Sequence, residues 1–222
     1  SFVREQIDTL FADVRIDAAK IGMVGQAPVI REVADRIAHW QPPHVVLDPV
    51  MIAKSGDALL EKAAVGAMLE ALLPCATVLT PNLPEAGVLL GERAPENLKE
   101  MRRAAERLRE RMTHAGPRWV VLKGGHLSHG DAIDLVTDGD RMIELALPRV
   151  DTKNTHGTGC TLSAAIAALL PQSPDAPTAI RRAKDYLARA LAAADRLDVG
   201  RGHGPVHHFH ALWTMGRMGS EL

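Results

Sequence analysis

The chain has 222 residues, of which 46% are hydrophobic and 24% charged, and its formal net charge is −1. Domains usually run ~100–200 residues, so this length fits one large α/β domain or two small ones, with a real buried core. The near-neutral balance argues against nucleic acid or an anionic membrane as partner, yet leaves room for a local cationic site.

The two cysteines, Cys75 and Cys160, are a poor basis for a disulfide framework. With no signal peptide in view, the expected setting is a reducing cytoplasm. No apolar run approaches the ~20 residues of a membrane helix, and the Ala- and Leu-rich residues 158–170 read as a buried core helix. The chain opens at Ser1, and Phe2, Ile7, Leu10, Phe11 and Val14 already follow helical spacing, so a missing N-terminal segment is expected.

After this helix, Ala19-Lys20-Ile21 is a short strand closed by Gly22 and Gly25. Residues 28–40 form a helix with Val29, Val33, Ile37 and Trp40 on one face and Pro28 in its first turn. Val45-Val46-Leu47 is a continuous apolar run of the kind found in buried parallel strands. The unit recurs: a helix at 57–73, a strand at 77–79, a short helix at 84–90, a charged surface helix at 96–114 and a strand at 119–122. Residues 133–136 and 141–145 flank Asp138-Gly139, a hairpin turn. Helices at 158–170 and 175–197 close the pattern.

Alternating strands and helices imply right-handed crossovers and a mostly parallel sheet covered on both faces, in one domain spanning 1–222. Ligands in such sheets bind beyond the carboxyl ends of the strands. Polar or glycine-rich residues stand at every such end: Gly22-Met23, Asp48-Pro49-Val50-Met51, Thr80-Pro81-Asn82, Lys123-Gly124-Gly125-His126, and Asn154 through Cys160.

The strongest local signal is Thr155-His156-Gly157-Thr158-Gly159-Cys160, running into a helix. Its glycines let successive N–H groups point at one spot, and the helix adds its positive end, making a phosphate cradle without a Walker lysine. Cys160 stands where the helix N-terminus favours the thiolate, as a base or acceptor for a substrate hydroxyl, or else as a small buried hydrophobe. Lys123 either reaches a terminal phosphate or is an exposed strand-end lysine. Asp48 and Glu85 are candidate Mg²⁺-associated acids acting through water. Their alternatives are a turn residue before Pro49 and a first-turn acid favoured by the helix dipole. His203, His207, His208 and His210 invite a metal reading, but a polar loop at 202–205 is preferred.

The ordered set resembles the hydroxymethylpyrimidine/phosphomethylpyrimidine kinases of thiamine synthesis, in the ribokinase-like superfamily. It comprises Lys20-Ile21-Gly22-Met23, Leu47-Asp48-Pro49-Val50-Met51, Thr80-Pro81-Asn82 with Pro84-Glu85-Ala86, Lys123-Gly124-Gly125-His126, residues 155–160, and Gly202 through Val206. The resemblance implies a three-layer αβα sandwich, ATP and Mg²⁺, a small pyrimidine substrate and a homodimer. It implies that Cys160 faces the substrate hydroxyl and that the amides of Gly157, Thr158, Gly159 and Cys160 form the anion hole. Lys123 would meet ATP phosphates; Glu85 and Asp48 would serve the metal; Asp48, Asn82, Gly125 and Thr155 would border the nucleotide. Met23 and Val50 would line the pyrimidine pocket. The family's first strand and its glycine-rich loop are not in this sequence, roughly one-fifth of a domain. Two alternatives stand beside this reading: a pyridoxal kinase-like activity, and a non-catalytic nucleotide-binding remnant.

Overall fold

The computed structural model describes residues 1–51, 60–125, 127 and 131–213. Residues 57–59 of the expected third helix, and His126, lie outside the described residues.

The chain begins with α1 (Phe2–Asp13), β1 (Ala18–Ile21), α2 (Ala27–Trp40) and β2 (His44–Leu47). Pro28 lies in the first turn of α2, where its missing N–H costs no hydrogen bond. Next comes α3 (Lys62–Ala67), which is shorter than the 57–73 helix expected from spacing. It widens into a π-helical turn over Met68–Leu72 and then tightens into a 3₁₀ turn over Leu73–Cys75. Pro74 explains the break, because its ring clashes with the preceding turn and it has no N–H to continue an α-helix.

β3 (Val78–Leu79), α4 (Leu83–Leu90) and α5 (Leu98–Arg111) follow. The expected 96–114 helix overran α5 at both ends; Asn97 caps it, its side-chain oxygen accepting the Glu100 N–H at 3.0 Å. β4 (Trp119–Lys123) leads to the hairpin of β5 (Ala132–Thr137) and β6 (Met142–Leu147). Its turn rests on the two residues expected: the Asp138 carboxylate accepts the N–H groups of Asp140 and Arg141 at 3.1 and 2.9 Å, and Gly139 takes a φ of 102°. α6 (Thr158–Leu169) and α7 (Ala176–Ala192) complete the fold, with α7 giving way to a 3₁₀ turn at Ala194–Arg196.

The six strands lie in sequence order, β1 to β4 parallel and β4 to β6 antiparallel. Parallel strands stepping in one direction with crossovers of one hand place every crossover helix on the same face. α2, α3, α4 and α5 accordingly share a core with Val45, Leu47, Leu79, Val120 and Leu122. The opposite side chains, Val46, Val78, Val121 and Val136, pack under α6 and α7. The strand alternation thus feeds two cores and yields the mostly parallel three-layer α/β sandwich expected. Among the described residues no helix is long and apolar enough to cross a membrane.

Candidate active site

The parallel strands all end on one side, and Asp48 is the hub there. It follows β2 directly and is 1% exposed. One carboxylate oxygen, Oδ1, accepts from the Lys123 ammonium at 3.0 Å and the Thr80 hydroxyl at 3.3 Å. The other, Oδ2, accepts from the Ser163 hydroxyl at 3.0 Å and lies 3.7 Å from the Lys20 ammonium. Ends of β1, β2 and β4 and the first turns of α6 are thereby tied to one buried group. Two ammoniums thus face the Asp48 carboxylate beneath the α6 N-terminus.

The glycine-rich loop over residues 155–160 lies directly above. Gly157 caps α6 with a φ of 78°, a left-handed conformation that favours glycine. The first α-helical bond runs from the Thr161 N–H to the Gly157 carbonyl at 2.8 Å; the Thr158 N–H turns back to the Thr155 carbonyl at 3.4 Å, and the Gly157, Gly159 and Cys160 amides stand at the helix end ahead of that bond. Gly159 is glycine for a different reason: a Cβ there would stand 3.2 Å from the Lys123 ammonium. Amides and ammonium therefore converge on one spot, as an anion site requires.

Cys160 is exposed in the first turn of α6. It opens onto a groove of about 750 Å³ whose lining includes Gly157, Thr161, Tyr186, Arg189 and His208. Behind the loop, buried Asn154 donates from Nδ2 to Asp195 at 2.8 Å and accepts the Gly204 N–H at 3.0 Å. The His156 N–H donates to the Gly204 carbonyl at 3.1 Å. The 202–205 segment, expected as a plain polar loop, is thus the clasp on the cradle.

Glu85 belongs to the same neighbourhood. The Lys123 N–H donates to the Pro81 carbonyl at 2.9 Å, which seats Asn82 beside Lys123. Asn82 caps α4 in a reciprocal box: its side-chain oxygen accepts the Glu85 N–H at 2.9 Å, and its own N–H donates to Glu85 Oε2 at 2.8 Å. Glu85 is 3% exposed. Burial pushes its carboxyl up, while the Lys123 ammonium pulls it the other way.

A family model described as phosphomethylpyrimidine kinase matches residues 1–207. The chain belongs to that family. It is 47% identical over 211 residues to the hydroxymethylpyrimidine/phosphomethylpyrimidine kinase of Rhizobium meliloti, covering 95% of this chain and 77% of that one. Among solved structures, the Bacillus subtilis pyridoxal kinase in its ADP complex superposes with a TM-score of 0.83 at 33% identity, covering 94% of this chain and 75% of the other. The phosphomethylpyrimidine kinase of Clostridium difficile 630 gives 0.73 at 33% identity, with 85% and 74% covered. A phosphomethylpyrimidine kinase is a phosphotransferase.

Of the residues singled out by sequence, Cys160, Lys123, Asp48, Glu85 and Asn82 come together with the Gly157, Thr158 and Gly159 backbone. Thr155 belongs to the loop, its carbonyl accepting the Thr158 hydroxyl at 2.7 Å. Gly125 lies further out, exposed, its carbonyl accepting from Arg149 at 2.9 Å. Met23 and Val50 stand beyond β1 and β2; Met23 is 60% exposed, and neither lines the groove at Cys160. Lys20, Thr80 and Asn154 stand in the sequence motifs without a role of their own, and Ser163 lies within the helix read over 158–170. A charged residue inside a four-residue strand, Lys20, was a signal that went unused.

Proposed function

We propose that this chain transfers the terminal phosphoryl group of ATP to the hydroxymethyl oxygen of 4-amino-5-hydroxymethyl-2-methylpyrimidine, and then a second one onto the resulting monophosphate. The observation that carries it is the Lys123 ammonium, held by Asp48 under Gly159 at the N-terminal end of α6. That is a preformed site for a phosphoryl group in transit. The hydroxymethyl oxygen attacks the terminal phosphorus, the bond to the bridging oxygen breaks, and ADP leaves. The transition state is loose and demands little of a base. Cys160 therefore orients the hydroxyl and receives its proton late.

Mg²⁺ fits the residues present. Glu85 and Asp48 offer oxygen donors, and the Asp48 charge is felt at the Glu85 carboxyl. Mg²⁺ takes one or two carboxylates, keeps several waters and neutralises phosphate charge when bound. Asn82, Gly125 and Thr155 border the nucleotide in this reading, and Met23 and Val50 the pyrimidine. The chain acts as one kinase domain within a homodimer, in a reducing cytoplasm where Cys75 and Cys160 stay reduced and unbridged.

A pyridoxal kinase-like activity is the second reading, favoured by the higher TM-score of the Bacillus subtilis structure. Identity of 47% with a kinase named for the pyrimidine favours the first. The test is ADP release by the purified chain with Mg-ATP and hydroxymethylpyrimidine, beside a run with pyridoxal. Turnover confined to the pyrimidine is expected; turnover confined to pyridoxal overturns the assignment.

A further inference from the structure

Lys123 and Asp134 are direct cross-strand partners in the antiparallel pair of β4 and β5. Opposed residues in such a pair share a face, with Cβ atoms ~4.5–5.5 Å apart, and opposite charges there pair with each other. Yet the Lys123 ammonium goes to Asp48 at 3.0 Å. Asp134 is held instead by Lys184 of α7, whose ammonium lies 2.7 Å from its Oδ2. The exchange of partners is complete at both ends. Lys184 places its remaining donors on the Ala132 and Leu145 carbonyls at 2.9 and 2.7 Å, and Asp134 Oδ1 accepts the Gly124 N–H at 3.0 Å. Asp134 and Lys184 are only 7% and 6% exposed.

Two buried charges cost desolvation, and an apolar pair of similar volume often serves stability as well. Stability alone therefore does not account for Lys184. Asp134 has a local task, since the Gly124 amide needs an acceptor where β4 ends. Gly124 itself is walled in: a Cβ there would collide with the Ile133 carbonyl and stand 2.8 Å from the Met101 methyl. An ionised Asp134 left without Lys184 would have one obvious cation within reach across the strands.

We propose that Lys184 is a positioning residue for phosphoryl transfer: by occupying the Asp134 carboxylate it keeps that group from capturing the Lys123 ammonium, which stays with Asp48 beneath the phosphate loop. This rests on the kinase reading above. Lys184 touches no reacting atom and acts only through the choice of partner for Lys123.

The test is Mg-ATP affinity by titration calorimetry, with initial rates of ADP release and Tm recorded for each variant. K184M is expected to weaken ATP binding by about tenfold or more, from the uncompensated buried charge. It should raise the KM for ATP and leave the KM for the phosphoryl acceptor unchanged. The double variant D134N/K184M keeps an acceptor for Gly124 but carries neither charge, so its ATP affinity should return close to wild type. Should K184M fail to fold, K184Q retains an N–H donor for Asp134 and carries the same expectation. A folded single variant that binds ATP like wild type overturns the proposal. So does a double variant as impaired as the single one, which would make the pair a structural staple. Wild-type protein that binds no Mg-ATP would sink the kinase reading, and this inference with it.

Discussion

Asp48 accepts from the Lys123 ammonium and two hydroxyls and is ion-paired with Lys20 at 3.7 Å, and the consequence is felt by Lys123. To serve a phosphate, Lys123 must loosen its hold on a buried carboxylate, which is affordable only if another cation remains. Lys20 is that cation. K20M should therefore weaken Mg-ATP binding several-fold while sparing the fold, measured by calorimetry beside a thermal melt. Cys160 makes a weaker demand. If it mainly orients the hydroxyl, C160A should lower kcat by no more than about 10²-fold, the low end for a positioned acid or base. A loss of about 10⁴-fold would make it an obligatory base. Glu85 can be read through pH. Burial raises its folded pKa, so its neutral form favours the fold at low pH, and that contribution is lost as pH rises through the raised value. E85Q keeps the capping box, since Gln serves at that position, and removes the charge. Its Tm should exceed wild type at pH 8 and match it at pH 4, while phosphoryl transfer falls.

At the scale of elements, what the sequence displayed is what local chemistry decides. Asp138-Gly139 announced a hairpin because the turn is built by those two residues and their neighbours. The Gly157 loop announced a helix start, because a left-handed glycine directly ahead of α6 is a local feature. The third helix misled because hydrophobic spacing runs unbroken to Leu73, while the approach of Pro74 already opens the backbone into a π turn over Met68–Leu72. The partners of Ser163, Lys20 and Asp134 were illegible for another reason: they lie 115, 28 and 50 positions away, and only the packed sheet brings them together. The clasp at Gly204 belongs to this class. A Cβ there would strike the Asn154 amide oxygen, which is already fixed between Gly204 and Asp195. G204A should shift the loop amides and lower kcat more than tenfold. Its Tm loss should stay near 2–4 °C, about what 1 kcal/mol makes in a chain of this size. Equal activity with a lowered Tm would mean the clasp only stabilises.

Across the whole molecule the two cores are unequal in what they hold. Both faces of the sheet are sealed by helices with buried apolar residues, but α1 contributes none and leaves Phe2 77% and Leu10 51% exposed. Its helical spacing was legible, and its attachment was not, because charge rather than apolar burial holds it. Arg4 pairs with Glu32 and Asp35 at 2.6 and 2.7 Å, Asp8 accepts from Trp40 at 2.7 Å and Arg36 at 3.2 Å, and Phe11 stacks on Trp40 at 5.6 Å. Exposed pairs of this kind are individually weak and are screened by salt. They also carry a pH signature. The Trp40 hydrogen bond lowers the Asp8 carboxyl, the Ser1 hydroxyl lowers Glu32, and Arg36 lowers Asp35. A depressed folded pKa contributes stability above the unfolded value, lost as pH falls through the folded one, so this attachment should weaken progressively as pH falls below the ordinary carboxylate range. Hydrogen exchange followed by mass spectrometry should show α1 amides opening first, faster at 1 M salt and at acid pH, while β2 and β4 amides stay protected. If α1 instead exchanges in step with β2 under both conditions, it is part of the global cooperative unit and its polar contacts are incidental.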